Sequence, residues 1–343
     1  MGNKKIFKLS VLMIALMVIV TGCGSSNENA GKVETAENTT EVVENKNTST
    51  VEIEDIHGTV EVPVNPKNVV SLDNRTFETL ANWNIELAAA PKEVMPKELS
   101  YVNDEKVQNI GDHREPNLEI IAAVNPELVI VGQRFSSFYE EIKALVPDAV
   151  VIDLGFDVSG ENGAAGESLV NGLENATKSL GKIFEKNEEA EKLVADFDKA
   201  IEDAKNAYNG TDTIMSVVVS GGEIGFSAPT SGRVWGPMYE IFGWKSALEI
   251  DGSSSDHKGD DISVEAIAES NPDWIFVLDR DAATSSSEDS VPAQDVIDNS
   301  PALKNTKAVS EGKILYAPQD TYTNESIQTY IELFENMSNS LKK

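Results

Sequence analysis

The stretch EIIAAVNPELVIVGQR, residues 119–134, returns as EAIAESNPDWIFVLDR, residues 265–280. Each copy opens on Glu, places an Ile two residues on and then an Ala, and reaches Asn-Pro and an acidic residue. Each then runs through apolar residues to a closing Arg. The interval from Glu119 to Arg134 equals that from Glu265 to Arg280. Within one copy the local structure is readable. Glu119 to Val124 has helical spacing, with Ile120, Ile121 and Val124 available to a core. Pro126 cannot continue a helix and biases Asn125 away from it. Leu128 to Val131 is a short, mostly β-branched apolar run, as expected of a buried parallel strand. A helix followed by a strand runs down and then up an α/β layer, so the opening Glu and the closing Arg share one edge. Ligands of open α/β sheets bind outside the carboxyl ends of the strands. The repeat therefore sets a cation at a candidate ligand site and a carboxylate on the rim beside it, once in each of two related lobes.

The 343 residues suffice for two domains with proper cores. The formal charge, 28 − 58 = −30, argues against a nucleic-acid partner, because phosphate neutralisation supplies most of such affinity. Arginine is scarce: Arg75, Arg114, Arg134, Arg233 and Arg280 are the whole set. A chain that uses Lys on its surface and keeps so few Arg raises the question of what each one does. The planar guanidinium suits forked recognition of anionic oxygens; a local salt bridge, such as Arg280 with Asp279, is the plain alternative.

The N-terminus reads as a leader. Lys4, Lys5 and Lys8 precede an apolar run from Val11 to Val20, too short for an ordinary membrane span, and then Val20-Thr21-Gly22-Cys23. That tetrapeptide resembles a bacterial lipobox, in which residues 1–22 are a signal peptide and Cys23 is acylated at the mature N-terminus. Cys23 is the only cysteine, so the folded part has no disulfide, thiol nucleophile or thiolate metal site. Residues 23–50 are polar, acidic and rich in Thr and Asn, and read as a disordered tether.

Farther along, Val51 to Val64 alternates about His57-Gly58 as a hairpin does. Asn68–Leu72 and Ala149–Asp153 read as strands. Asp73-Asn74-Arg75 follows the first of them, so Arg75, at a strand's carboxyl end, is a candidate to reach the ligand cleft, with capping or a pair with Asp73 as the equal alternative. From Glu167 to about Tyr208, Leu169, Leu173, Leu180, Phe184, Leu193, Phe197 and Ile201 keep helical intervals. This reads as one rigid helix joining the lobes, about 60 Å long if unbroken, with Lys186-Asn187 as the place for a kink. In the second lobe Thr213–Val219 is a strand. The Gly-rich GGEIGFSAPTSGRVWGP follows, with Arg233 at the turn into a helix from Val234 to Phe242. His257 falls in a polar loop, Lys313–Ala317 is a strand, and a helix closes the chain from Glu325 to Leu341. The resulting expectation is an α/β protein of two Rossmann-like lobes with central sheets, residues 51–166 and 209–343, joined through 167–208.

No HExxH, GxSxG, Walker or GxGxxG motif occurs, and His57, His113 and His257 lack metal-ligand spacing. Hydrolytic and phosphoryl-transfer chemistry have no visible parts, and the chain is read as a non-enzyme with no intrinsic cofactor. The arginines are the better constellation. Arg134 and Arg280 close the repeats and Arg233 stands at a strand-to-helix loop. Three cations in one cleft repel unless an anion occupies it. Glu119 and Glu265 sit where acidic residues favour a helix dipole; their matched edge also suits a two-fold partner carrying Arg or Lys. Tyr322, in a polar loop, is free to face a ligand, whereas Tyr330 has core spacing. Trp235 is a core candidate that, beside Arg233, would also stack on an aromatic ligand.

With its lipobox, tether, two α/β lobes, PNLE…NPELVIV and SVEAI…NPDWIFVLDR, the chain resembles the siderophore-binding lipoproteins of ABC iron importers, over roughly residues 51 to 343. SGRVW and VLDR look like the catecholate-siderophore subgroup. The resemblance implies a class III substrate-binding fold with little hinge motion and an arginine triad, matched by Arg134, Arg233 and Arg280, that neutralises a ferric catecholate. It also implies a His and a Tyr, matched by His257 and Tyr322, that complete iron coordination when the siderophore is tetradentate. Glu119 and Glu265 match the pair that docks onto permease arginines. The expected protein is a monomeric, lipid-anchored extracytoplasmic receptor that hands a ferric siderophore to an ABC permease. Receptors for haem, cobalamin or hydroxamate siderophores are the alternative of the same kind. A surface adhesin or sensor that binds a protein is the alternative of another kind.

Overall fold

The computed structural model describes residues 49–112, 114–161, 163–284 and 291–342. The expected signal peptide, Cys23, all but the end of the tether, and His113 lie outside the described residues. Strand β1 (Thr50–Asp55) pairs antiparallel with β2 (Gly58–Pro63). The tip of this hairpin rests on the first lobe: the His57 ring stacks on Tyr139 at 3.9 Å, and the Ile56 N–H donates to the Asp153 carbonyl.

Two parallel sheets follow. The first contains β3 (Val69–Ser71), β4 (Leu87–Ala90), β5 (Gln108–Asn109), β6 (Leu128–Val131) and β7 (Val150–Asp153), in the order β5-β4-β3-β6-β7. The second contains β8 (Thr213–Ser220), β9 (Glu223–Phe226), β10 (Lys245–Ser246), β11 (Trp274–Asp279) and β12 (Ile314–Tyr316). Its order is β10-β8-β11-β12, with β9 folded back antiparallel on β8. Both faces of each sheet are covered, which explains the unbroken apolar runs. Val69, Leu128, Ile130 and Ile152 enter one core of the first sheet, and Val70, Val129, Val131 and Val151 enter the other. In the second sheet Val218, Phe276 and Leu278 face one core, and Val217, Val219 and Val277 the opposite one.

The repeat is visible in three dimensions. Helix Leu118–Ala123 leads to β6, and helix Val264–Ser270 leads to β11. Asn117 and Ser263 cap them, each side chain accepting the N–H three residues on. Asn125 and Asn271, before the prolines, end the helices with positive φ of 48° and 46°, a conformation that Asn tolerates better than most residues. The acidic residue after Asn-Pro has one job in both copies. Glu127 accepts the Lys67 N–H at 2.7 Å, and Asp273 accepts the Thr213 N–H at 2.8 Å, each tying down the entry to the adjacent strand.

The connector differs from the single rod expected. Residues 167–208 form two helices, Ala165–Ile183 and Asn187–Ala207, with Glu185 between them at φ 53°. Leu169 and Leu173 pack in the second lobe's core, whereas Ala176, Leu180 and Ile183 pack in the first's. After the turn Ala190 still belongs to the first core, and Phe197, Ile201 and Ala204 to the second. The connector is thus a helical hairpin that crosses between the cores twice. The 19-residue first helix is about 28 Å long. The apolar period runs through the turn because both arms bury a face, so periodicity alone cannot see the reversal. Gly181 permits the corner: a Cβ there would stand 2.6 Å from that of Ala190.

Candidate functional site

Strand order fixes where a site can lie. From β3 the chain moves to β4 and β5 on one side, and from β6 to β7 on the other. From β8 it moves to β10, and from β11 to β12. The carboxyl ends of β3 and β6, and of β8 and β11, therefore flank the two points where the winding reverses, the ordinary position of a ligand crevice. Arg75 follows β3, Arg134 follows β6 and Arg280 follows β11. Arg233 lies in the loop between β9 and the helix Gly236–Phe242.

These four side chains converge on the segment just before the last helix. The Tyr322 carbonyl accepts from Arg233 at 3.0 Å and from Arg134 at 3.5 Å. The Tyr322 ring lies 4.3 Å from the Arg233 guanidinium and 5.4 Å from that of Arg280, distances suited to cation–π attraction. Tyr322 is thus placed among the arginines, buried and not free in a loop. Arg280 also donates to Ser220 Oγ at 3.2 Å and lies 3.9 Å from Asp281, rather than pairing with Asp279.

At the centre stands a residue that sequence reasoning missed. Glu325, 4 % exposed, pairs through Oε2 with Arg75 at 3.2 Å and through Oε1 with Arg233. Burial works to raise its pKa, but the guanidinium groups of Arg233, Arg75 and Arg134 outweigh burial and hold the carboxyl below its ordinary value. Arg134 shows the reverse balance: burial, assisted by Arg233 and Arg75, lowers its pKa despite Glu325. Burial also acts against Arg233, yet Glu325 and Tyr322 turn its pKa upward. Glu325 gave no signal in the sequence beyond its place just before Ser326, which caps the final helix. The buried Nε of Arg75, Arg134, Arg233 and Arg280 has no hydrogen-bond partner among the described residues. Buried donors without acceptors are costly, and these fit a site built to receive anionic oxygens.

Beside the cluster lies a cavity of ≈ 540 Å³. Arg233, Glu325 and Tyr330 line it together with Gln133, Asp153 and Phe156 from the first lobe. Apolar walls come from Ile56, Val158, Leu169, Val234 and Pro237. Arg75 stands against this lining, its guanidinium 3.9 Å over the Phe156 ring. Arg134 and Arg280 join the cluster through Tyr322 and are not lining residues. Such a site combines cations at one end with apolar and aromatic surface at the other, as a bulky anion with apolar parts requires.

Two expected site residues are not part of it. Trp235 is fully buried against Phe276 and Trp244 in the second lobe's core. Val234 takes φ 63°, and that turn sends the indole inward while Arg233 goes to the cleft, so adjacency in sequence misled. His257 is about half exposed on its loop, 3.9 Å from Asp256, and touches neither the arginines nor Tyr322. Ser255 lines the cavity but His257 does not. No His among the described residues stands beside Tyr322, so His257 and Tyr322 are not brought together as a ligand pair. Among the described residues, no group of three or more His, Cys, Asp or Glu could hold a metal ion. Glu119 and Glu265 are exposed in the first turns of their helices, in matched positions.

With this geometry in hand, comparison with known proteins gives one consistent answer. The family model described as periplasmic binding protein matches residues 69–321. The petrobactin-binding protein YclQ of Bacillus subtilis is 28% identical over 344 residues, covering 98% of this chain and 99% of that one. Its crystal structure superposes with a TM-score of 0.72 at 25% identity, covering 86% of this chain and 99% of that chain. The catecholate-siderophore binding protein VctP of Vibrio cholerae gives a TM-score of 0.70 at 25% identity, with the same coverage.

Proposed function

The chain belongs to the periplasmic binding protein family, and on that premise we propose that it is an extracytoplasmic receptor for a ferric siderophore with catecholate donors, delivering it to an ABC permease. The convergence of Arg75, Arg134, Arg233 and Arg280 on one carbonyl, one aromatic ring and one carboxylate carries the reading. Catecholate complexes of iron are polyanions, and a buried cluster of guanidinium groups is costly to fold unless such a ligand repays it. Relatives point the same way: YclQ is named for petrobactin and VctP for catecholate siderophores. Hydroxamate complexes carry less negative charge and would leave more of the cluster uncompensated.

Binding is tested by titrating intrinsic Trp fluorescence with a panel of ferric siderophores. Ferric catecholates should quench at sub-micromolar concentration, and hydroxamates should require far more. Absence of quenching by every catecholate, or preference for the hydroxamates, refutes the assignment.

The proposal extends to delivery. Acylation of Cys23 would hold the receptor on the outer face of the membrane, and Glu119 and Glu265, exposed at matched helix starts, would dock on permease cations. Reversing both charges to Arg should leave ligand binding intact and abolish uptake in cells. Normal uptake by the doubly reversed protein removes these residues from the docking surface.

A further inference from the structure

We propose that Glu325 is a specificity-determining residue of the cleft: a fixed internal counter-ion that sets how much negative charge a ligand must bring. The inference rests on the ferric-siderophore reading and deepens it. Glu325 lines the cavity and is paired with Arg75 from the first lobe and Arg233 from the second, so its carboxylate bridges both sources of cation.

Its backbone is clamped on both sides. Asn74 Nδ2 donates to the Thr323 carbonyl at 2.9 Å and to the Asn324 carbonyl at 3.2 Å. Glu78 accepts from Asn324 Nδ2 at 2.8 Å and from Ser326 Oγ at 2.6 Å. Residues 324 and 326 are therefore both tied to the first lobe. Glu325 between them holds φ 47°, a left-handed conformation uncommon for any side chain of this kind. A carboxylate clamped in this way is a permanent part of the site and not a gate. Swinging it aside would break two ion pairs and strand charge in a buried place.

The charge count gives the clamp a meaning. Arg75, Arg134, Arg233 and Arg280 bring the positive charge, and Glu325, between Arg75 and Arg233, offsets one unit of it, as Asp73 beside Arg75 and Asp281, 3.9 Å from Arg280, offset more. In a ferric tris-catecholate each arm gives up two protons, and the complex is a trianion. In a ferric tris-hydroxamate each arm gives up one, and the complex is neutral. The fixed carboxylate thus weakens the pull of the cluster on the trianion and leaves the neutral complex little affected, and electrostatic complementarity of this kind serves specificity more than raw affinity.

The test is a charge series on the whole chain, titrated with one ferric tris-catecholate and one ferric tris-hydroxamate, reading the ratio of the two affinities. Glu325→Gln raises the net cluster charge and should raise the ratio in favour of the trianion by about tenfold or more. Two unit charges about 4 Å apart at an effective dielectric of about 20 interact on the scale of roughly a thousandfold, so tenfold is the smallest change expected. Arg75→Gln lowers the charge and should lower the ratio by about the same factor. Arg75→Gln combined with Glu325→Gln restores the count and should restore the wild-type ratio, whatever the absolute affinities. If Glu325→Gln does not fold, the Arg75 single and the double variant decide: the first must lower the ratio and the second must recover it. Ratios that do not follow this order overturn the role of Glu325 while leaving the receptor reading intact. A wild-type protein that binds neither probe overturns the receptor reading, and this inference with it.

Discussion

The two copies of the repeat make the same fold unit and finish it differently. Ser71 pairs with Ile130 in the first sheet, and Ser216 with Phe276 in the second, so the sheets can be laid over one another residue by residue. Two residues farther on, the first lobe has Asp73 and Gly132, and the second has Val218 and Leu278. The valine and leucine pair in register and enter the core. In the first lobe the strand stops at Val131 and the aspartate occupies the space; a Cβ on Gly132 would lie 2.2 Å from Asp73 Cγ. One lobe therefore uses this position for packing, and the other buries a carboxylate there next to Arg75.

The closing arginines inherit the difference. Arg280 directly follows its long strand, about a quarter exposed, with Ser220 and Asp281 as partners. Arg134 comes three residues after its shorter strand, deeper among like charges, where burial and the other guanidinium groups disfavour its ionised form. The first copy thus maintains a cation at a cost to the fold, whereas the second holds one in a comfortable place. Replacing each by Met separates the two. Arg134→Met should lower affinity for a ferric catecholate about 100-fold, because it removes a desolvated partner of the anion, while the thermal midpoint without ligand holds or rises. Arg280→Met should lower affinity about tenfold, with stability within about 0.5 kcal/mol of wild type, as for partly exposed groups with modest partners. Fluorescence titration and thermal unfolding measure both. Equal affinity losses, or a several-degree drop in midpoint for Arg134→Met alone, would break the contrast.

The same comparison shows what a single sequence can carry. The repeat, its strands and its arginines were readable because they depend on local pattern: period, Asn-Pro, and the rarity of Arg. Arg134, Arg233 and Arg280 could be grouped because two strand ends and a strand-to-helix loop share one edge, whereas the sequence leaves Arg75 open between the cleft and a local pairing with Asp73. Glu325 was not readable, because its meaning comes from partners some 90 and 250 residues away and from a clamp made by Asn74 and Glu78. Trp235 and His257 failed for a related reason: a neighbour in sequence or a matching motif does not fix which way a loop turns. The connecting helix was legible as helix and illegible as a hairpin, because reversal at Glu185 leaves the apolar period unchanged.

Asp73 offers a finer test of why the lobes differ. Burial, opposed by Arg75, raises its pKa from 3.8 to about 6. A carboxyl whose folded pKa exceeds its unfolded value stabilises the fold fully below the unfolded pKa, and that contribution is lost as pH rises through the folded pKa. For Asp73 the window runs from about pH 4 to about pH 6. Above it the buried charge should cost about 3 kcal/mol relative to a neutral group of the same shape. Asp73→Asn keeps an oxygen to accept the Arg75 N–H, now at 3.1 Å. The variant should therefore be more stable than wild type at pH 7.5, with the advantage vanishing near pH 4. Denaturant unfolding at several pH values measures this directly. A gain that persists undiminished at pH 4 would trace to packing against Gly132. A loss at pH 7.5 would mean that the charge of Asp73 is needed to hold Arg75, making the carboxylate of the first lobe a structural part of the cation cluster that the second lobe, with Val218, does without.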